Sequence, residues 1–249
     1  MPTSPPASAD ARGFPATMWT VLLTARDPAA PEARAAREAV CAAYWQPVCA
    51  YLRALGLAHE DAEDAAQKVL ADFCHDGSLE RVDRARGRLR HFFKAAARHA
   101  LYNHRRTANA VRRGGGGAAL SLDELTDAAM PSAEAAPDAA FDHSWAWTVF
   151  DRAMRAIGES YALRGKGALL EALKPSLLPS GALQSYAEIG SEFGVGEAQI
   201  QIEVHRLRRR LADRLRSEVA ATLGPAATPP EVEDELRQLV RALCHESDA

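Results

Sequence analysis

The sequence has few of the features that mark an exported, membrane-bound or metal-dependent protein. Its four cysteines, Cys41, Cys49, Cys74 and Cys244, include no C-x-x-C pair. Their spacing argues against a zinc site or a disulfide framework and suits a reducing cytosol. Residues 1–16 lack the basic start and apolar centre of a signal peptide, and no later run reaches membrane-spanning length. We therefore expect a soluble, cytoplasmic protein without membrane insertion.

Strand patterns and catalytic motifs are also missing. The alternation of apolar and polar residues that is typical of a half-buried strand is nowhere convincing, whereas helical periodicity recurs along the chain. His91, His99 and His104 do not form a helical metal site, and no serine or cysteine stands in a recognisable nucleophile motif. The glycine run at 114–117 lacks the Lys-Ser/Thr of a phosphate-binding loop. We expect an all-helical protein that is not an enzyme and holds no metal or cofactor.

Charge is unevenly distributed, although the net charge of −3 is small. Residues 81–113 contain eleven of the 30 basic residues and a single acid, Asp83. Residues 121–142 contain six acids and no basic residue. The abundance of arginine could reflect a GC-rich genome, but its clustering favours contact with nucleic acid.

Changes in composition divide the chain into five parts. We predict a disordered N-terminus at 1–13, a first helical domain at 14–113 and a flexible glycine-rich, acidic linker at 114–140. A second helical domain at 141–224 and a C-terminal helical extension at 225–249 follow.

Within the first domain, proline and glycine positions set the predicted helix boundaries. Pro31 is expected to open a helix that runs toward Tyr44, and Pro47 to kink or break it before residues 48–55. Three further helices are predicted, at residues 19–25, 60–74 and about 88–106.

The segment from Ser185 to Arg216 has the pattern of a helix-turn-helix. Ser185 and Glu188 form a capping box that starts a short helix, and Gly194 and Gly196 permit a sharp turn. The second helix has an apolar stripe made of Ile200, Val204, Leu207, Leu211 and Leu215, and an outward row made of Gln201, His205, Arg206 and Arg209. Such a helix can pack by its apolar side and reach base edges and phosphates with its polar side. The alternative is a basic amphipathic helix on a generic helical domain.

Two helices of the first domain have contrasting surfaces. The helix at 60–74 presents carboxylates opposite the apolar row of Ala62, Ala66, Val69 and Phe73, a surface suited either to solvent or to a basic partner. The helix at 88–106 places His91, Lys94, Arg98, Tyr102 and Arg105 opposite its apolar residues. Cations with an interleaved aromatic ring suit a nucleic-acid backbone with an unstacked base, although a solvated helix face would show the same pattern.

Four motifs in this order resemble the extracytoplasmic-function group of bacterial sigma-70-type sigma factors. They are AYWQPV at 43–48, EDAEDAAQ at 60–67, RGRLRHFF at 86–93, and YAEI at 186–189 with VHRLRRR at 204–210. The subgroup with an N-terminal Trp motif, here Phe14 to Trp19, and a C-terminal extension is the most similar. The resemblance extends from Phe14 to about Leu243.

The resemblance implies a polymerase specificity subunit that is a monomer when free. Its partners would be RNA polymerase core enzyme, through the β′ coiled coil and the β subunit, and promoter DNA. Whether an anti-sigma factor controls it stays open. The residues implied for β′ binding are Asp61, Glu63, Asp64 and Gln67. Those implied for melting and holding the −10 element are Arg84, Arg86, Arg88, Arg90, His91, Lys94, Arg98, Tyr102, Arg105 and Arg106. Those implied for binding the −35 element are Gln199, Gln201, Ile202, Glu203, His205, Arg206 and Arg209.

Some residues depart from the family pattern. Lys68 follows Gln67 where an acid is usual, Gln201 replaces a common Lys or Arg, and Glu203 stands where a small residue is usual. Glu203 could accept a hydrogen bond from cytosine or pair with a neighbouring arginine. Two other functions remain open, namely a helix-turn-helix regulator that acts without polymerase and a helical interaction protein that binds no DNA.

Overall fold

The computed structural model of the protein describes residues 33–75, 89–113, 135–177, 184–223 and 227–244. All regular elements in these ranges are helical, as predicted. The helices are α1 (Ala33–Ala54), α2 (His59–His75), α3 (Leu89–Arg113), α4 (Ala135–Ala162), α5 (Gly167–Leu173), a 3-10 turn (Lys174–Leu177), α6 (Tyr186–Glu192), α7 (Glu197–Leu223) and α8 (Pro229–Cys244). The predicted N-terminal segment, the helix at 19–25 and most of the linker lie outside the described residues.

Helix α1 continues through Pro47, so the helix does not break at this residue, which was one of the two predicted outcomes. A proline in a helix interior removes one backbone hydrogen bond and costs roughly 3 kcal/mol. Tyr44, Val48 and Tyr51 on the same helix are at most 2% exposed. Burial of such side chains contributes about 1.5–3 kcal/mol each, which offsets the cost of the proline.

Helices α2 and α3 follow the predictions closely. Helix α2 buries Ala62, Ala66, Val69 and Phe73, the row that the sequence assigned to its apolar face. Helix α3 begins one residue later than predicted and extends seven residues further, to Arg113. A cluster of aromatic rings joins these helices to α1, with Phe93 stacked on Tyr44 at 4.3 Å between ring centroids.

Helix α4 begins at Ala135, inside the predicted linker, so residues 135–140 are helical rather than part of a tether. Pro137 lies in the first turn, where a proline costs no hydrogen bond, and Asp138 provides the negative charge that a helix N-terminus favours. Helix α4 packs along α1, and Phe141 meets Tyr51 edge to face.

Helices α6 and α7 form the predicted helix-turn-helix, and the capping box of Ser185 and Glu188 is present. Gly194 adopts a left-handed conformation with φ of +67°. Gly196 does not, and its carbonyl instead accepts from the first turn of α7. Gly190 matters more than the sequence indicated, because a Cβ atom there would lie 2.6 Å from the Val195 carbonyl oxygen. The two helices can therefore cross only with glycine at this position.

The buried apolar side chains of the described helices form one continuous core. Helix α7 contributes all five residues of its predicted stripe, and α8 contributes Val232, Leu239 and Leu243. The region predicted as the first domain shares this core with the region predicted as the second, chiefly where α1 lies against α4.

Candidate nucleic-acid interface and docking faces

The outward face of α7 presents a row of polar side chains to solvent. Six of the seven residues implied for −35 binding are exposed, namely Gln199, Gln201, Ile202, His205, Arg206 and Arg209. Ile202 is 52% exposed although it is apolar. The buried stripe on the other side of α7 fixes the direction of this face. The face can therefore offer hydrogen-bond donors and one apolar contact to a DNA groove.

The seventh residue, Glu203, faces α4 instead. The Tyr161 hydroxyl donates a hydrogen bond to Glu203 Oε1 at 2.8 Å, and the Glu203 side chain is only 15% exposed. Burial, followed by this hydrogen bond, raises the pKa of Tyr161 to about 12. Arg206 Nη1 lies 3.9 Å from the second carboxylate oxygen. Glu203 thus joins α7 to α4, and the structure does not place it on the outward face with the other six residues.

Helix α2 carries the predicted acidic face. Asp61, Asp64 and Gln67 are exposed and Glu63 is half-buried. His59 Nε2 lies 3.4 Å from Glu63 Oε1, so an imidazole ring borders one end of the face. The carboxylates remain accessible to a basic partner.

The basic residues of α3 divide into an accessible group and a buried group. His91, Tyr102 and Arg105 are exposed, as predicted, and Arg106 is half-buried. Arg105 donates to the Leu55 carbonyl at 2.9 Å and so caps the C-terminal end of α1. Arg84, Arg86 and Arg88 of the predicted −10 site lie outside the described residues.

Arg90 and Lys94, by contrast, are only 5% and 7% exposed. The predicted position of Lys94 on the outward stripe is therefore wrong, and Arg90, which the resemblance implied for −10 binding, is buried as well. Arg90 Nη1 lies 3.1 Å from Asp142 Oδ1 on α4. Its Nη2 lies 2.9 Å from Glu235 Oε2 on α8 and donates to Gln238 Oε1 at 2.8 Å. Arg90 is therefore held by two helices that are distant from α3 in sequence.

Lys94 and Arg98 continue the same row toward the start of α4. Lys94 Nζ lies 3.1 Å from Asp142 Oδ1, and Arg98 Nη2 lies 3.2 Å from Asp138 Oδ1. The cations also lie near aromatic rings. The Arg98 guanidinium, for example, lies 5.6 Å from the Tyr51 ring centroid. We call this set the ion-pair cluster; its members are Arg90, Lys94, Arg98, Asp138, Asp142 and Glu235. Arg90, Lys94 and Glu235 are buried, whereas the other three side chains are partly exposed.

The cluster balances three cations with three carboxylates, which is what the low dielectric of a protein interior requires. Local periodicity missed it because α3 is covered on two sides, by α1 and α2 and also by α4 and α8. One signal was present in the sequence. Arg90, Lys94 and Arg98 recur every four residues, and so do Asp138 and Asp142. Two such rows can pair along adjacent helices.

No family model, curated protein or solved structure matches this chain. The functional interpretation therefore depends on the chain's own residues and on their arrangement.

The described ranges contain no cluster of three or more His, Cys, Asp or Glu side chains that could hold a metal ion. None of the helices in these ranges combines the length and apolarity needed to cross a bilayer.

Cys41 on α1 and Cys74 on α2 are free thiols whose sulfur atoms lie 3.2 Å apart. The cysteine spacing did not predict this contact.

Proposed function

We propose that the protein is a sigma factor that directs RNA polymerase core enzyme to promoters and assists melting of the −10 element. The observation that carries the proposal is the pair of exposed faces with opposite chemistry on one chain. The helix-turn-helix presents donors on α7, and α2 presents carboxylates. The resemblance to extracytoplasmic-function sigma factors assigns these two faces to DNA and to polymerase.

The −35 element is the proposed ligand of α7. Arg206 and Arg209 are long donors that can reach guanine edges or phosphates, and Gln199 and Gln201 can form hydrogen bonds with adenine. The buried stripe of α7 and the close contact at Gly190 hold this face rigidly. A rigid helix in the major groove is the usual geometry of such motifs.

The β′ coiled coil of core polymerase is the proposed ligand of α2. Asp61, Glu63 and Asp64 offer negative charge and Gln67 offers an amide, on a helix that is anchored from behind by Phe73 and Val69. Residues 114–134, which precede α4, are the proposed tether that runs toward the polymerase active centre and the β subunit.

The −10 element is the proposed ligand of α3 and of the basic segment before it. Tyr102 is exposed and can stack on an unpaired base, and His91 and Arg105 are exposed on the same helix. Unstacking one base costs a few kcal/mol, which phosphate and stacking contacts would offset.

A charge reversal on α2 tests the proposal. The double variant Glu63→Lys with Asp64→Lys should lose binding to purified core polymerase and promoter-specific transcription, while duplex binding through α7 persists. A matched control is Asp151→Lys, an exposed acid on α4. The proposal fails if the double variant binds core polymerase and transcribes as well as the unmodified protein.

A helix-turn-helix regulator that acts without polymerase is the second candidate. The burial of Arg90 and Lys94 favours it, because two predicted −10 contacts are inaccessible while the α7 face is exposed. Such a regulator would most simply bind as a dimer and would bind duplex DNA tightly alone. Specific duplex binding with no effect of core polymerase would support it over the sigma factor.

A further inference from the structure

The ion-pair cluster occupies cationic groups that a −10 strand would need. Three of the residues proposed to hold that strand, Arg90, Lys94 and Arg98, each lie within 3.2 Å of a carboxylate oxygen on α4 or α8. Carboxylate oxygens present the same negative acceptors to arginine and lysine as phosphate oxygens do. The acids of α4 and α8 thus take the place of a nucleic-acid backbone.

A DNA strand and these acids cannot bind the same cations at the same time. Arg90 already directs both terminal nitrogens to acceptors, Asp142 on one side and Glu235 with Gln238 on the other. Its guanidinium also lies 4.9 Å from the Trp145 ring centroid, so one of its faces is covered. Access to Arg90 therefore requires α4 or α8 to move.

Helix α8 connects this cluster to the helix-turn-helix. Glu235 faces Arg90 and is 1% exposed, while Glu233 on the same helix pairs with Arg216 of α7 at 2.5 Å. The His143 ring of α4 forms a hydrogen bond with the Ala242 carbonyl at 2.8 Å. Helix α8 thereby holds α3, α4 and α7 together in one closed arrangement.

A groove separates parts of α4 and α8 beside Arg90. The groove is solvent-accessible, has a volume of about 420 Å³ and is lined by His143, Trp145 and Arg241 among others. Arg90 also lines the groove, so movement of α8 here exposes the cluster first at that residue.

We infer that α4 and α8 form a built-in inhibitor of −10 strand binding, in which Asp138, Asp142 and Glu235 hold the strand-binding cations of α3 until α8, and with it the start of α4, moves away from α3. This inference rests on the proposed function, because it regulates the same site. Opening exchanges three carboxylate partners for phosphates and leaves the carboxylates in water. The equilibrium between the closed state, in which the carboxylates bind the cations, and the open state, in which DNA phosphates bind them, therefore depends on competition for the same cations.

Neutralising the acids tests the inference directly. The binding of a fluorescently labelled, A/T-rich single strand of about 12 nucleotides is measured by anisotropy at fixed salt, with no polymerase present. Glu235→Gln and Asp142→Asn each keep the side-chain shape and an acceptor oxygen while removing the charge. Each should bind the strand about tenfold more tightly than the unmodified protein. Asp151→Asn is the matched control, an exposed acid on the same helix as Asp142, and should change nothing.

A second measurement uses the unmodified protein, so it does not depend on the folding of a variant. Hydrogen exchange of the α8 amides is compared with and without saturating single strand. The inference predicts faster exchange in α8 when the strand is bound. The inference is overturned if the α8 amides exchange at the same rate with and without the strand. It is also overturned if Glu235→Gln and the unmodified protein bind the strand with equal affinity.

The outcomes separate the two claims. If the neutralised variants and the unmodified protein bind the strand equally and promoter transcription is seen with core polymerase, the inference is wrong and the proposed function stands. If no form binds the strand and core polymerase is not engaged, the proposed function is wrong.

Discussion

At the scale of single residues, Gly190 sets how closely α6 and α7 can approach. The variant Gly190→Ala would place a Cβ 2.6 Å from the Val195 carbonyl oxygen, which is backbone and cannot rotate away. We expect a loss of about 1–3 kcal/mol in the free energy of unfolding, as for other overpacked sites. Urea unfolding followed by circular dichroism measures it.

Gly158→Ala is the matched control for that variant. Gly158 lies within α4, and a Cβ there would meet only Leu170 Cδ2, at an ordinary 3.9 Å. Alanine should stabilise the protein by about 0.4–1 kcal/mol, because it restricts the unfolded chain. Equal effects of the two substitutions would contradict the close helix crossing.

Arg206 and Arg209 are the residues on which the specificity of α7 should depend most. Arg206→Ala or Arg209→Ala should weaken binding to a −35 duplex by about 1–3 kcal/mol if the arginine contacts a base. Arg237→Ala, an exposed arginine on α8, serves as control. Competition assays with a panel of duplexes measure the change. If neither Arg206→Ala nor Arg209→Ala changes duplex binding, a helical interaction protein that binds no DNA is favoured.

Buried tyrosines give the protein a specific sensitivity to alkali. Burial is the main cause that raises the pKa of both Tyr51 and Tyr161 to about 12, and it also raises the pKa of Tyr44. An unfolded tyrosine loses its proton near pH 10. The folded state keeps the proton, so ionisation favours unfolding as pH rises from about 10 to about 12.

We therefore expect the free energy of unfolding to be constant with respect to these tyrosines below about pH 10 and to fall above it. Tyr161→Phe removes one of the ionisations and should make the fall less steep, by up to about 1.4 kcal/mol per pH unit. Urea unfolding at several pH values gives the slopes. Identical slopes for the variant and the unmodified protein would exclude this role for Tyr161.

At the scale of helices, the contact between α1 and α2 brings two thiols together. Cys41 and Cys74 have their sulfur atoms 3.2 Å apart, whereas Cys244 is exposed near the end of α8. Hydrogen peroxide should join Cys41 and Cys74: two thiols and one peroxide give one disulfide and two waters. The hydrogen bond between Cys41 and Cys74, and then burial, raise the pKa of Cys41, so the reaction should speed up as pH rises.

Peptide mapping without reductant checks this packing. A Cys41–Cys74 linked peptide should dominate; Cys49→Ser should leave it in place and Cys74→Ser should abolish it. A product dominated by links to Cys49 or between Cys244 residues of two molecules would be inconsistent with the contact between α1 and α2.

The helices differ in how far their features could be predicted from sequence, and the reason is the range of the interactions. The capping box at Ser185 and the apolar stripe of α7 follow from contacts within a few residues, and both are confirmed. The continuation of α1 through Pro47 depends on side chains buried against other helices. Periodicity within one helix cannot show how many neighbouring helices cover it, so the sequence placed Lys94 on an outward stripe although this residue is buried.

At the scale of the whole molecule, the shared core changes how the proposed sites relate to one another. The sequence predicted two domains on a flexible tether, which would leave both DNA-binding faces free. In the structure α4 lies along α1, and α8 reaches from α7 to the cations of α3. The α7 face and the carboxylates of α2 remain exposed in this arrangement, while two of the residues proposed for −10 binding, Arg90 and Lys94, are buried. Engagement of promoter DNA would thus require a larger rearrangement than the sequence suggested.

Run-off transcription over a library of genomic fragments, with purified protein and core polymerase, tests the central claim most directly. We expect transcripts that depend on the protein and that start downstream of a shared pair of elements near −35 and −10. Glu63→Lys with Asp64→Lys should abolish them, and Asp151→Lys should not. Transcripts that are identical with and without the protein, together with no binding of core polymerase at micromolar concentration, would contradict the assignment as a sigma factor.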